Sequence, residues 1–97
     1  MTPDQMNWLE QDLKNAKDMP FKMCLFHCPI IGSAHFGRSH DLITYVLPVF
    51  DKYNVSAVIS GHEHHFERGT INDITYMILG GGGGPLDVGL RPLPETE

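Results

Sequence analysis

The sequence of 97 residues predicts a small α/β domain with a parallel sheet, and three observations lead to this class. Two short apolar runs, at 21–26 and 55–59, are nearly continuous, which is typical of strands buried on both faces of a sheet. A helical pattern lies between them, so a right-handed crossover is expected to join parallel strands. A further helical pattern precedes these elements and a hairpin pattern follows them. The predicted order is therefore helix, strand, helix, strand and β-hairpin.

The first helix is predicted to begin at Pro3 and to end at Met19-Pro20. Thr2 can serve as the N-cap, and Gln5 stands at the spacing of a capping box. Proline is favourable at the first helical position and unfavourable inside a helix, which accounts for both ends. An apolar face follows at three- and four-residue steps, formed by Met6, Leu9, Leu13 and Ala16.

The middle of the chain is predicted to contain a loop and a second helix. Glycine and serine residues mark a loop over 30–39. Ser39 can cap a helix over 40–53, which carries a broad apolar stripe. Pro48 lies inside this pattern, so a kink or a break is expected there.

The hairpin is predicted from two apolar segments, 66–71 and 74–79, that flank a short turn. Asn72 and Asp73 are residues that tolerate the left-handed backbone of a two-residue hairpin turn. A run of five glycines follows at 80–84, and the proline-containing tail after it is predicted to be irregular.

Charge and composition exclude several classes of function. With 7 Lys and Arg against 12 Asp and Glu, the formal net charge is −5, so nucleic-acid binding through clustered basic side chains is not expected. No apolar run approaches the roughly 18 residues of a spanning helix, so no membrane partner is expected. The first twenty residues are too polar for a signal peptide, which predicts a cytoplasmic location unless a leader precedes Met1. Cys24 and Cys28 do not make a disulfide framework.

Three histidines are predicted to meet at one edge of the sheet. His27 ends the first strand, and the motif Gly-His-x-His, with His62 and His64, follows the second. Sites in open α/β sheets form outside the carboxyl ends of strands. In an extended segment His62 and His64 share a face, whereas Glu63 and His65 point to the opposite face. Because neutral imidazole is a common ligand of transition metals, the pattern indicates a metal site; the alternative is two surface histidines and one buried histidine.

Several segments together resemble a known family. They are Phe26-His27-Cys28-Pro29, then 47–55, then Gly61-His62-Glu63-His64 with Glu67-Arg68, and also Gln5-x-x-Trp8-Leu9 and 76–84. This combination closely resembles the C-terminal half of the calcineurin-like metallophosphoesterases, and the Gly-His-x-His with Glu-Arg is most similar to the purple-acid-phosphatase-like branch. The resemblance implies that 1–86 are the C-terminal portion of a metallophosphoesterase domain, half of its α/β sandwich, and that 87–97 are an irregular tail.

The resemblance implies a dinuclear metal centre that hydrolyses phosphate esters. In the family, the histidines that match His27 and His62 bind one metal ion, and the histidine that matches His64 binds the other. Two divalent transition-metal ions are implied, and Zn, Mn, Fe and Co all suit mixed histidine and carboxylate ligands. The family often has histidines over the substrate in the loop that contains His35, which would contact phosphate or protonate the leaving group. The alternative for His35 is a surface loop histidine.

Glu67 and Arg68 match the Glu-Arg pair of the family. The resemblance implies a hydrogen bond that orients a metal ligand. The alternative is an exposed ion pair, which would contribute little to stability.

The sequence also departs from the family pattern. Asp-x-His, Gly-Asp-x-x-Asp and Gly-Asn-His, which would supply the remaining ligands and the bridging aspartate, do not occur. We therefore expect the chain to be the back half of a phosphoesterase and to be inactive in isolation. We also expect it to self-associate or to lack an N-terminal half, because few elements are available to cover its two buried strands.

Two alternatives to a phosphoesterase stay open at the level of sequence. One is a non-catalytic, truncated α/β module that acts in assembly. The other is a mononuclear zinc site formed by Cys28, His62 and His64, with Cys24 as a further candidate.

Overall fold

A computed structural model describes residues 2–33, 37–82 and 94–96, and it confirms the α/β class. In chain order the elements are α1 (Pro3–Asn15), β1 (Met23–Leu25), β2 (Ile31–Gly32), β3 (Gly37–Arg38), a π-helical segment (Leu42–Val46), α2 (Leu47–Lys52), β4 (Ala57–Ser60), β5 (Phe66–Ile71) and β6 (Ile74–Leu79). None of the helices within these described ranges has the length and apolar character needed to cross a bilayer.

One four-stranded sheet organises the chain, in the order β1-β4-β6-β5. β1, β4 and β6 are parallel, and β5 pairs with β6 in the antiparallel sense. The β5–β6 hairpin coincides with the predicted segments, and Asn72 and Asp73 have φ values of 50° and 64°. Positive φ at both central residues is the backbone of the type I′ turn that suits a two-residue hairpin. The short β2 and β3 form a separate antiparallel pair inside the predicted loop.

The first helix has the predicted start and an earlier end. The Thr2 hydroxyl accepts from Gln5 N–H at 3.2 Å, and Gln5 Oε1 accepts from Thr2 N–H at 3.1 Å, which completes the capping box. α1 ends at Asn15, and the C-cap residue Ala16 has left the helical conformation, with φ of −98° and ψ of 12°.

The second helical region changes its hydrogen-bond pattern where a kink or a break was expected. Leu47 N–H donates to the carbonyl of Leu42, five residues earlier, so Leu42–Val46 is π-helical before α2 begins. Pro48 has no N–H and occupies the first turn of α2. Because a proline cannot donate an internal helical hydrogen bond, the wider π turn carries the chain up to it.

The hydrophobic core lies on one side of the sheet, which we call the covered face and which bears Val58, Tyr76 and Ile78. Both helices contribute Leu9, Leu13 and Phe50 to the same cluster. The opposite side, the outer face, bears Leu25, Ile59 and Met77, which are paired in register across β1, β4 and β6.

The prediction that the 21–26 strand is buried on both faces is wrong for its outer side. β1 is only Met23–Leu25, and the side chains of Met23 and Leu25 are 45% and 70% exposed. Only Cys24 turns towards the core, and it is half-buried. The physical reason is that both helices pack on the covered face, and β1 lies at the edge of the sheet.

Candidate metal centre

Two strand ends bring the predicted metal-binding segments to one rim of the sheet. His27 follows β1, and the loop of residues 61–65 follows β4. The two segments are joined by the backbone, since Phe26 N–H donates to Ile59 O at 3.1 Å and Gly61 N–H donates to His27 O at 2.9 Å. The parallel pairing of β1 with β4 therefore continues into the loops that carry the histidines.

The rings of His27 and His62 face each other at this rim. His27 Nε2 lies 3.3 Å from His62 Nδ1, the ring centroids are 5.2 Å apart, and the ring planes stand at 87°. Both side chains are exposed, and His64 is half-buried. Either nitrogen of the close pair can be donor or acceptor, depending on the tautomers.

The other side of the same segment is buried. Glu63 has no exposed surface, His65 is 6% exposed and Glu67 is 4% exposed, in alternation with the more exposed His62 and His64. Glu63 and His65 are therefore on the buried side, although the segment is not extended as predicted: residues 62–65 form bends, and His62 has a φ of 67°. The buried residues Glu63, His65 and Glu67 thus form a second group on the other side of the segment from the exposed ring of His62.

Glu67 accepts hydrogen bonds from several segments of the chain. Its Oε1 accepts from Ser33 N–H at 2.8 Å, from Ser33 Oγ at 2.5 Å, and lies 2.9 Å from His65 Nε2. Its Oε2 accepts from the Tyr76 hydroxyl at 2.6 Å and from Thr96 Oγ1 at 3.2 Å. Glu67 therefore joins the loop after His27 to β5, β6 and the C-terminal residues.

The same contacts change the acidity of two groups. Burial opposes ionisation of Glu67, but the hydrogen bonds from Ser33, Tyr76 and His65 outweigh it, so the pKa of Glu67 is lower than usual. Burial raises the pKa of Tyr76, and its bond to the Glu67 carboxylate raises it further. Tyr76 is therefore a hydrogen-bond donor, and Glu67 a charged acceptor, throughout the neutral range.

Glu63, His65 and Glu67 also have ligand atoms within 4.8 Å of one another, which is close enough to hold a metal ion. However, His65 meets the two carboxylates through different ring nitrogens. Nδ1 lies 3.7 Å from Glu63 Oε2, and Nε2 lies 2.9 Å from Glu67 Oε1. A metal ion would bind only one nitrogen of His65. The contacts instead place the imidazole of His65 between the two carboxylates of Glu63 and Glu67.

The remaining predicted site residues are placed as follows. Arg68 is exposed on the outer face, in register with Met77, whereas Glu67 is buried on the covered face. The exposed ion-pair alternative therefore does not describe Glu67. Cys28 is exposed and Cys24 is half-buried. His35 lies outside the described residues.

Sequence reasoning missed Ser33, Tyr76 and the C-terminal residues as partners of Glu67. Nothing in their local sequence indicates this role, since Ser33 and Thr96 are 34 and 29 residues from Glu67 along the chain. Only the grouping of Glu63, His65 and Glu67 had a signal, which was their own two-residue spacing.

The sequence of the chain matches a phosphoesterase family. A model of the calcineurin-like phosphoesterases matches residues 1–66, which is more than half of the chain. The chain therefore belongs to the calcineurin-like phosphoesterase family. Membership of this family implies phosphate-ester substrates and divalent metal ions.

The chain is similar to purple acid phosphatases in sequence and in fold. The chain is 33% identical over 82 residues to Fe(3+)-Zn(2+) purple acid phosphatase 12 of Arabidopsis thaliana, which covers 79% of this chain and 18% of that protein. It superimposes with a TM-score of 0.74 and 21% identity on a purple acid phosphatase from seeds of yellow lupin, Lupinus luteus, over 95% of this chain and 21% of that one. The latter similarity shows the fold.

A third similar protein is described as an anchor. The chain superimposes with a TM-score of 0.81 and 27% identity on GAP50, the anchor in the inner membrane complex of Plasmodium, over 94% of this chain and 29% of that chain. In each of these comparisons the chain spans less than a third of the other protein's length.

Proposed function

We propose that the chain supplies part of a dinuclear metal centre that hydrolyses phosphate esters. In this proposal His27 and His62 hold one ion and His64 holds the other. The proposal rests above all on the 3.3 Å between His27 Nε2 and His62 Nδ1. Two imidazole nitrogens that each lie about 2.0–2.1 Å from one tetrahedral ion are separated by about 3.3 Å.

The donor set also suits such an ion. Both rings are exposed at the rim, so an ion can reach their nitrogens without unfolding the loop. Imidazole with carboxylate suits Zn, Mn, Fe and Co, and the identity of the two metals is left open. When bound, divalent ions supply Lewis-acid polarisation of a phosphate ester and a nucleophile at neutral pH.

Other residues have supporting roles in the proposal. Glu67, through His65 and Ser33, orients the segments that carry His27 and the rim histidines. Arg68, on the outer face, and His35, which lies outside the described residues, are proposed from the family pattern alone. His35 would contact the phosphate or protonate the leaving group.

In this proposal the chain supplies three ligands, and neither Glu63 nor Glu67, the carboxylates of the motif segment, faces the rim. Glu63 and Glu67 are buried on the covered face, and the motifs that would carry the bridging aspartate do not occur. Two cations held close together need such a bridge, so the 97-residue chain is proposed to need further residues, from a longer protein or in trans, for turnover.

The decisive test compares the 97-residue chain, its His62→Ala variant and a full-length relative for hydrolysis of a generic phosphomonoester with Mn or Zn. We expect turnover only from the full-length relative, and two equivalents of metal in that protein alone. Metal-dependent turnover by the short chain that His62→Ala abolishes would overturn the need for added residues. One tightly held zinc that is lost on Cys28→Ser would replace the proposal with the mononuclear site.

A non-catalytic role in assembly is the second candidate. It is supported by the exposed apolar side chains of β1 and by the similarity to a protein described as an anchor. In this role the chain would associate with a second copy or with further residues of the family domain, through the outer face. A full-length relative that binds no stoichiometric metal and has no phosphatase activity would favour this candidate.

A further inference from the structure

The backbone of the metal-binding loop has an unusual conformation. Glu63 N–H donates to Gly61 O at 2.8 Å, and His65 N–H donates to Glu63 O at 3.0 Å. Hydrogen bonds between residues two apart define γ-turns, so two consecutive γ-turns are centred on His62 and His64. His62 has a φ of 67°, which is unfavourable for a non-glycine residue and persists only where its surroundings enforce it.

Glu63 is the residue that the two turns share. Its N–H closes the first turn and its carbonyl closes the second. Its side chain has no exposed surface, although glutamate is among the residues that are least often buried. A buried side chain at the common corner therefore connects the two exposed turns to the interior.

Two glycines leave the space that Glu63 occupies. A Cβ built on Gly32 would overlap Oε1 of Glu63 and lie 2.6 Å from its Cδ. A Cβ built on Gly80 would overlap the carbonyl oxygen of Glu63 and lie 3.2 Å from the Cα of His64. Any side chain at either position would displace Glu63 or the loop, so the fit depends on both glycines.

The position of Gly32 connects this fit to His27. Gly32 lies in β2, five residues after His27, and His27 is itself bonded to Gly61 through the backbone at 2.9 Å. The side chain of Glu63 thus packs against the segment of one ring while its backbone shapes the turn of the other. Displacement of Glu63 would change the separation of the His27 and His62 rings.

We propose that Glu63 is the positioning residue of this loop: its side chain, buried beside Gly32, holds His62 in the strained γ-turn that presents its ring to His27. The inference rests on the proposed metal centre for its use, although the backbone conformation that it explains does not involve a metal. Glu63 would touch neither metal nor substrate. A shape role of this kind predicts that volume at residue 63 matters more than charge.

The test uses the 97-residue chain and four variants. Glu63→Ala removes the side chain, Gly32→Ala adds one methyl group where Glu63 lies, and Glu63→Gln keeps the shape without the charge. Val55→Ala, at the opposite end of β4 and 3% exposed, serves as a control that loses core packing away from the rim. Urea unfolding measures the stability of every variant, so that an effect on the loop can be compared with the loss of stability in Val55→Ala.

The first readout needs no metal. Backbone NMR chemical shifts report the φ of His62, and we expect it to leave the positive region in Glu63→Ala and Gly32→Ala but to stay there in Glu63→Gln and Val55→Ala. A His62 that keeps its positive φ in both Glu63→Ala and Gly32→Ala would overturn the proposal. If Glu63→Ala does not fold, Gly32→Ala, which keeps every native side chain, decides alone.

The second readout is binding of Co²⁺, followed by its visible absorption. Loss of a residue that orients ligands typically weakens metal affinity about 10–100-fold, and we expect this loss for Glu63→Ala and Gly32→Ala. We expect Val55→Ala and Glu63→Gln to stay within about threefold of the unmodified chain. If the unmodified chain and His62→Ala bind Co²⁺ equally weakly, the proposed metal centre fails, and the NMR readout still decides the role of Glu63.

Discussion

The two edge strands of the sheet, β5 and β1, differ in how they are covered. β5 alternates, with Glu67, Gly69 and Ile71 buried, and its outer edge is bonded to the C-terminal residues: Gly69 bridges to Thr96, and Thr70 N–H donates to Glu95 O at 3.0 Å. β1, at the other edge, exposes Met23 and Leu25 on the outer face. A largely apolar groove of about 570 Å³ lies beside it, lined by residues that include Trp8, Phe21 and Leu25.

The difference shows what each edge can do alone. On β5, Arg68 and Thr70 face solvent beside the exposed ring of Phe66, the buried carboxylate of Glu67 has donors within the chain, and the C-terminal residues bond to the backbone of the strand. The apolar pattern of β1 predicts burial on both faces, but the side chains on its outer face are exposed. Exposed apolar strands at a sheet edge favour association with another chain or with further residues of the same protein. Four expected outcomes test this difference between the two edges.

The largest effect is expected at the β5 edge. Glu67→Ala leaves the Tyr76 hydroxyl, the Ser33 N–H and His65 without their acceptor in a buried site. We expect a loss of about 3–5 kcal/mol in the free energy of unfolding, measured with urea. Arg68→Ala, next along β5 but exposed, should change stability by less than about 0.5 kcal/mol. Equal effects of the two substitutions would contradict the central role of Glu67.

The next effect is expected at the β1 edge. Leu25→Lys should weaken self-association of the chain about tenfold or more, because burying a leucine side chain contributes roughly 1.5–3 kcal/mol. Since Leu25 is 70% exposed, stability of the single chain should hardly change. Sedimentation at increasing concentration measures the monomer and the associated form, and Thr70→Lys on β5 is the matched control. A chain that stays monomeric at high concentration and binds no apolar dye would refute the β1 edge as an association surface.

A smaller effect is expected from pH. The pKa of Glu67 in the folded chain is below that of an unfolded glutamate, which is about 4.3. Its carboxylate therefore stabilises the fold fully above that value, and the stabilisation is lost as pH falls through the lower, folded pKa. We expect the stability difference between the unmodified chain and Glu67→Gln to be constant from pH 7 to about pH 5 and to shrink towards pH 3. A difference that grows on acidification would have the wrong sign.

The smallest effect is expected from the ion pair that holds the C-terminal residues to β3. Arg38 donates to the two oxygens of Glu95 at 2.6 and 2.9 Å, but its side chain is 42% exposed. Exposed pairs typically contribute about 0–1 kcal/mol, and salt screens them. Glu95→Gln should therefore lower stability by less than about 1 kcal/mol, and 0.5 M salt should reduce the difference. A loss as large as that of Glu67→Ala would mean that the C-terminal residues are essential to the β5 edge.

Local patterns were sufficient to predict much of this chain. The capping box of Thr2 and Gln5 and the turn at Asn72 and Asp73 both follow from interactions between residues a few positions apart. Such interactions depend on backbone geometry and side-chain spacing, which the sequence states directly. The combination of segments that includes Gly-His-x-His likewise indicated the family, which the match to residues 1–66 confirmed.

Tertiary structure decided the features that depend on distant residues. The continuous apolar run at 21–26 indicated burial on two faces, but burial also needs a covering element, and both helices pack on the covered face. Gly32 and Gly80 have no local signal for their role, because the side chain they accommodate belongs to Glu63, which is 31 and 17 residues away in the numbering. The donors around Glu67 come from Ser33, Tyr76 and Thr96 for the same reason: hydrogen bonds to a buried carboxylate are satisfied by whichever segments the fold brings within reach.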